Sequence, residues 1–79
     1  MSIQVIAAVY GTTTAGNDVT QICQSLVDSG NDDIAVNNDA MGGDPDFGVV
    51  KSFGILYSSN GGAPKALAAQ EGQTLDLLP

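Results

Sequence analysis

From Val49 to Tyr57 the chain alternates, with Val49, Lys51, Phe53, Ile55 and Tyr57 on one side and Val50, Ser52, Gly54 and Leu56 on the other. Side chains repeat at every second residue in an extended strand, so this period predicts a strand from Phe47 or Val49 to Ser58. Breakers bound it at both ends. Gly42-Gly43-Asp44-Pro45-Asp46-Phe47-Gly48 precedes it, and Pro45 fixes one backbone angle there while the aspartates and glycines favour a reversal. Ser59-Asn60-Gly61-Gly62 follows it, and Asn-Gly accepts the positive φ angles of a tight hairpin. A strand so bracketed needs a partner, which Pro64 to Gln70 is placed to supply. Lys65-Ala66-Leu67-Ala68-Ala69-Gln70 consists of good helix formers and by propensity alone reads as a short helix; the hairpin before it and Glu71-Gly72 after it favour a strand.

The remaining segments follow the same logic. Ile3 to Tyr10 is rich in β-branched residues, with Ile3, Val5, Ala7 and Val9 on one side and Gln4, Ile6, Ala8 and Tyr10 on the other. Both sides are largely apolar, which predicts an interior strand or one covered on both faces. Gly11 ends it, and Thr12 to Asn17 reads as a polar loop. From Asp18 to Ser29 the period changes, because Val19, Ile22, Cys23, Leu26 and Val27 recur at spacings of three and four. That stripe predicts a helix capped by Asn17 or Asp18 and stopped by Gly30-Asn31, with a strand as the rival reading because Val19, Thr20, Ile22 and Val27 are poor helix formers. Ile34 to Asn37 reads as a short strand, and Thr74 to Leu77 as an edge strand closed by Pro79. The expected fold is therefore mainly β: a small antiparallel β-sandwich or Greek-key sheet of about four or five strands with one short helix, in a single domain spanning residues 1–79.

Composition restricts the function. Two lysines face nine acidic residues, no histidine is present, and the formal charge is −7. Such a surface repels phosphate backbones and anionic lipid, so nucleic acid and membrane are not expected partners. A chain of 79 residues has one thin core and little room for a dry catalytic cavity. Without histidine there is no Cys-His pair and no triad base, and Ser25, Ser29, Ser52, Ser58 and Ser59 lack a nucleophile-elbow context. Cys23, the single cysteine, reads as a buried small hydrophobe and indicates a reducing, cytoplasmic setting. The N-terminus carries no basic leader before its short apolar run. No enzymatic activity is expected.

Carboxylates are the remaining chemistry. Asp44 and Asp46 flank Pro45, and Asp39, Asn38, Asp32 or Asp33 can approach from the neighbouring loop, a set of hard oxygen ligands suited to calcium or magnesium. No recognised calcium loop is complete: in EF-hand spacing Met41 falls where an oxygen ligand belongs and Gly48 where the closing Glu belongs. Ordinary turn chemistry is the competing account, in which Gly43, Pro45, Gly48, Lys51, Asn60 and Gly61 hold turns and strand ends. Asp44 and Asp46 match a glycosidase acid and base in residue type only, since a solvated loop raises neither pKa. Tyr10 and Tyr57, near strand ends, read as rim packing residues.

Tyr10-Gly11, Asp18-Val19-Thr20, Gly43-Asp44-Pro45 with Gly48, Val49, Lys51 and Tyr57, and Glu71-Gly72 with Leu75, Leu77 and Pro79 together resemble a small domain of fungal stand-alone proteins and of the C-terminal region of some DnaJ-like proteins. The resemblance implies a compact β module whose polar signature residues fix turns, and it brings no catalytic residue. Gly42-Gly43 is one glycine richer than that pattern. Three functions are consistent with this reading. The first is a non-catalytic binding or protein-interaction module for a protein or small polar ligand, self-associating as a homodimer through an edge strand at 74–77 or 34–37. The second is a calcium-binding module using the acidic loops, and the third a small lectin, for which the absence of Trp removes the best stacking surface.

Overall fold

The computed structural model describes residues 2–77, and these form six strands and one helix. Strands β1 (Ile3–Gly11), β2 (Gly16–Asp18), β4 (Ser52–Ser59) and β5 (Lys65–Gln70) make an antiparallel sheet in the order β2-β1-β4-β5. Strands β3 (Asp33–Ala35) and β6 (Thr74–Asp76) form a second antiparallel pair. Helix α1 (Thr20–Asp28) packs against β1. The mainly β class with one short helix is as expected; Gly16–Asp18 is an additional strand within the segment read as loop.

Local chemistry explains the ends of these elements. After β4, Asn60 and Gly61 both take positive φ, 54° and 74°, and the Gly62 amide donates to the Ser59 carbonyl at 2.8 Å, the geometry of a type I′ turn. That turn delivers residues 65–70 back against β4, so hairpin position prevails over helix propensity. Helix α1 stops in a Schellman arrangement: Gly30 has φ 91°, its amide bonds the Val27 carbonyl, and the Asn31 amide bonds that of Leu26. At the other end Val19 occupies the cap position and offers no side-chain acceptor. Asp18 substitutes from one residue earlier, its Oδ1 accepting from the Thr20 amide at 3.0 Å and the Thr20 hydroxyl at 2.6 Å. Between β1 and β2 the Thr12 amide bonds the Ala15 carbonyl at 2.7 Å, and the strands approach so closely at Gly11 that a Cβ there would collide with the Ala15 carbonyl and Gly16 Cα.

A β-bulge alters the phase of β1. Val5 pairs with Tyr57 and Ala7 with Leu56, so Ile6 is an extra residue. Ile3 and Val5 face the core before the bulge, and Ala8 and Tyr10 face it afterwards, while Ala7 and Val9 turn outward. A one-residue offset reverses every later side chain, so the sidedness expected from uninterrupted alternation holds only up to Val5. Of the two expectations for this strand the interior position holds, since β1 lies between β2 and β4, and coverage of both faces does not: Ile6 and Val9 are exposed on the outer face. Tyr10 and Tyr57 are fully buried rather than on the rim.

The core lies on the inner face of the larger sheet. Val5, Ala8, Tyr10, Phe53, Ile55 and Tyr57 meet Val19 and Cys23 of the helical segment, with Ile34, Val36, Met41 and Leu77 also buried in the cluster. Helix α1 also covers the edge of β1 that β2 does not reach. The Val5 amide donates to Gln24 Oε1 at 2.7 Å, the Ala8 amide to Thr20 Oγ1 at 3.0 Å, and Gln24 Nε2 donates to the Ile3 carbonyl at 3.2 Å. These side chains satisfy backbone groups that would otherwise form an open sheet edge. Among the described residues no helix is long and apolar enough to cross a membrane.

Candidate functional site

The loop from Gly42 to Val50 is organised around Lys51, whose side chain is only 2% exposed. The alternation of β4 continues backward through Lys51, so this residue enters on the same side as Phe53 and Ile55, and its ammonium needs compensating acceptors there. Asp44 Oδ1 lies 2.6 Å from Nζ, Glu71 Oε1 lies 3.5 Å away, and the Asp46 carbonyl accepts from Nζ at 2.9 Å. The Lys51 backbone exchanges with the same glutamate: its amide donates to Glu71 Oε1 at 3.1 Å and its carbonyl accepts from the Glu71 amide at 2.8 Å. Hydrogen bonding to Asp44 is the main reason the ammonium pKa lies above its usual value. This one buried cation ties the loop of Asp44 and Asp46 to the turn at Glu71.

The aspartates of the turn are held inside that network. Asp44 Oδ1 also accepts from the Asp46 amide at 3.1 Å, closing a turn around Pro45, and the Lys51 bond holds its carboxyl below the usual carboxylate range. Asp46 Oδ2 accepts from Thr12 Oγ1 at 2.7 Å and Thr14 Oγ1 at 2.9 Å, which fastens the loop to the β1–β2 hairpin and lowers that carboxyl as well. Gly43 and Gly48 take positive φ, 133° and 80°, consistent with their expected role at turns. Asp39 stands apart. It is exposed on a compact turn in which Asn37 Oδ1 accepts from the Ala40 amide and the Met41 amide bonds the Asn37 carbonyl. Met41 is buried in the core, so this turn does not follow a calcium-loop path. Tyr10 donates its hydroxyl to Asn38 Oδ1 at 2.6 Å, and burial raises its pKa. Above the hub the loop presents Phe47, 92% exposed, with Val49 and Val50 beside it in sequence.

A different set of carboxylates converges with no cation among them. Pairing of β3 with β6 sets Asp33 directly opposite Asp76, and Asp32 joins them, so that one oxygen from each lies within 4.8 Å of the others. The Leu77 amide donates to the Asp32 carbonyl at 2.8 Å and fixes this end of the ladder. Like charges opposite each other in a strand pair destabilise it. Asp76 registers the crowding: its pKa is raised, first by desolvation and then by Asp33 and Asp32. Asp32 and Asp33 were named in the sequence as companions of Asp44 and Asp46; they lie with Asp76, a residue the sequence did not single out. The only available signal was the doublet Asp32-Asp33 in front of one short strand and an Asp inside another, and nothing local specifies that these strands pair.

No family model, no curated protein and no solved structure matches this chain.

Proposed function

We propose that this domain is a non-catalytic module that binds a divalent cation, calcium being the ion its ligands suit best, through Asp32, Asp33 and Asp76. The observation that carries this reading is the convergence of three carboxylates within 4.8 Å across the β3–β6 pair, with no lysine in the group. Calcium takes six to eight hard oxygen ligands and tolerates irregular geometry, so three carboxylates and water can form its shell. Binding also relieves the repulsion between Asp33 and Asp76, which makes the ion a stabiliser of the smaller sheet. With exposed ligands and water completing the shell, the expected dissociation constant is about 10⁻⁴ to 10⁻³ M. Asp44 and Asp46, the first choice from the sequence, are less suited because Lys51, Thr12 and Thr14 already engage their oxygens. The resemblance to the fungal and DnaJ-like domains agrees with a compact module and contributes no ligand set.

Calorimetric titration with calcium, together with melting curves at about 10 mM calcium, tests the reading. At about ten to one hundred times the dissociation constant a ligand stabilises the folded state by about 1.4–2.7 kcal/mol, which raises the melting temperature of a domain this size by roughly 6–20 °C. Asp76→Asn should raise the melting temperature without calcium and abolish the calcium-dependent rise. Absence of both heat and a melting shift in the natural chain would eliminate the proposal.

A further inference from the structure

We infer that β5 is a docking edge for a second copy of this chain, which pairs with it antiparallel about a two-fold axis at Leu67 and joins two four-stranded sheets into one. The inference stands apart from cation binding and rests on which backbone groups the fold leaves over. Registers Phe53↔Ala69, Ile55↔Leu67 and Tyr57↔Lys65, continued by the Glu71 amide on the Lys51 carbonyl, direct the backbone groups of the odd-numbered residues of β5 toward β4. Those of Ala66, Ala68 and Gln70 therefore point away from the sheet. Gln70 is already satisfied, its amide donating to Gln73 Oε1 at 2.7 Å and its carbonyl accepting from the Gln73 amide at 3.1 Å. Among the described residues the amides and carbonyls of Ala66 and Ala68 have no hydrogen-bond partner, and both residues are exposed. At the opposite side of the sheet the edge strand is β2, which is only three residues long, and the Gln24 and Thr20 side chains cover the part of β1 that β2 does not reach, so β5 is the longer open edge.

The edge is complementary to itself. Rotation about Leu67 sets Ala66 opposite Ala68 of the second copy, and Ala68 opposite its Ala66, as two narrow pairs that each exchange two hydrogen bonds. The next position outward sets Pro64 opposite Gln70 of the second copy. Proline has no amide hydrogen and the Gln70 amide is already bonded, so the new ladder ends without stranding a donor. The charges agree with this register. Lys65 stands in no ion pair among the described residues, and the rotation places it diagonally across from Glu71 of the second copy, a separation long side chains bridge. No acidic residue faces another along the pairing, which matters when each copy carries a net −7. A foreign strand would find the same amides without this mutual spacing of Ala66, Ala68, Pro64, Lys65 and Glu71.

Sedimentation velocity from about 10 μM to 1 mM, combined with amide hydrogen exchange at both ends of that range, tests the pairing. The expected result is a concentration-dependent dimer in which the Ala66 and Ala68 amides exchange at least tenfold more slowly than in the dilute sample. Ala66→Lys with Ala68→Lys puts like charges opposite in both pairs and should weaken dimerisation at least tenfold. Ala66→Lys with Ala68→Glu puts opposite charges there and should retain it. Both pairs of substitutions alter exposed methyl groups, and unchanged melting curves for the dilute variants confirm folding. A strictly monomeric natural chain at 1 mM, equal dimerisation of the two variants, or a dimer that leaves the Ala66 and Ala68 amides unprotected would each overturn the inference.

Discussion

Deleting Ile6 should be tolerated, whereas deleting Leu56 from the strand paired with it should not. The two residues are alike in chemistry and exposure, 44% and 37%, and both lie on the outer side of the same sheet. They differ in phase. Without Ile6, Val5 still pairs with Tyr57 and Ala7 with Leu56, and Ile3, Val5, Ala8 and Tyr10 all keep facing the core. The helix anchors also stay in place: the span from Val5 to Ala8 is set by the two-residue step from Tyr57 to Ile55 opposite, so Gln24 and Thr20 still reach their amides. What is lost is the half-buried Ile6 side chain, about 1–1.5 kcal/mol on a scale of about 1.5–3 for full burial. Strand β4 has no spare residue. Removal of Leu56 turns either Tyr57 or the pair Phe53 and Ile55 out of the core, and losing one buried aromatic costs about 3–5 kcal/mol beyond Leu56 itself. Against a total of about 4–12 kcal/mol for a domain of this length, the second deletion removes from about a third to all of the stability. Urea unfolding followed by circular dichroism reads both. At a slope near 1 kcal/mol/M, the Ile6 deletion lowers the midpoint by about 1–1.5 M. Equal damage from the two deletions would show that the bulge is not a spare residue and that the phase argument is wrong.

Lys51→Met should lower the melting temperature at neutral pH and make the acid side of the stability profile shallower. Asp44 and Asp46 have folded-state pKa values below the ordinary 3.8, so their contribution is complete above that value and is lost as pH falls through the depressed ones. The substitution removes the Lys51 bond that depresses Asp44 and leaves Thr12 and Thr14 on Asp46; melts between pH 2 and 7 whose acid limbs superimpose would contradict this. Cys23 is fully buried and its thiol is pushed up to about 11 by desolvation, so a thiol reagent at pH 8 should label the native chain at least roughly a thousandfold more slowly than the urea-unfolded chain. Rapid labelling under native conditions would place the thiol at the surface.

Much of the fold is legible locally. The alternation from Val49 to Tyr57, the Asn60-Gly61 turn and the stripe of Ile22, Cys23, Leu26 and Val27 each express a rule that acts within a few residues; the turn and the helix form where the rule puts them, whereas the strand begins at Ser52 rather than at Phe47 or Val49, because Val49 and Val50 lie exposed in the loop before it. Lys65–Gln70 shows one local rule prevailing over another, because hairpin closure supplies ladder hydrogen bonds that outweigh helix propensity over six residues. Candidate sites were less legible. Asp44 and Asp46 were chosen for residue type and proximity in sequence, and the fold gives their oxygens to a lysine and two threonines. The convergence at Asp33 and Asp76 depends on which strands meet, and the two edges expected at 34–37 and 74–77 instead pair with each other, leaving β5 as the longer of the two edges of the larger sheet.

The amino-acid sequence alone determined where the chain extends, coils and reverses, because those choices depend on backbone sterics and on the hydrophobic period within each segment. It also determined an acidic domain with no histidine base. Tertiary structure alone decided that Ile6 lies in a bulge, that Tyr10 faces inward, that Lys51 is buried among Asp44, Glu71 and the Asp46 carbonyl, and that three aspartates share one corner. Each of those outcomes depends on contacts between segments distant in the chain, and such contacts are selected by the packing of the whole core rather than by any window of neighbouring residues.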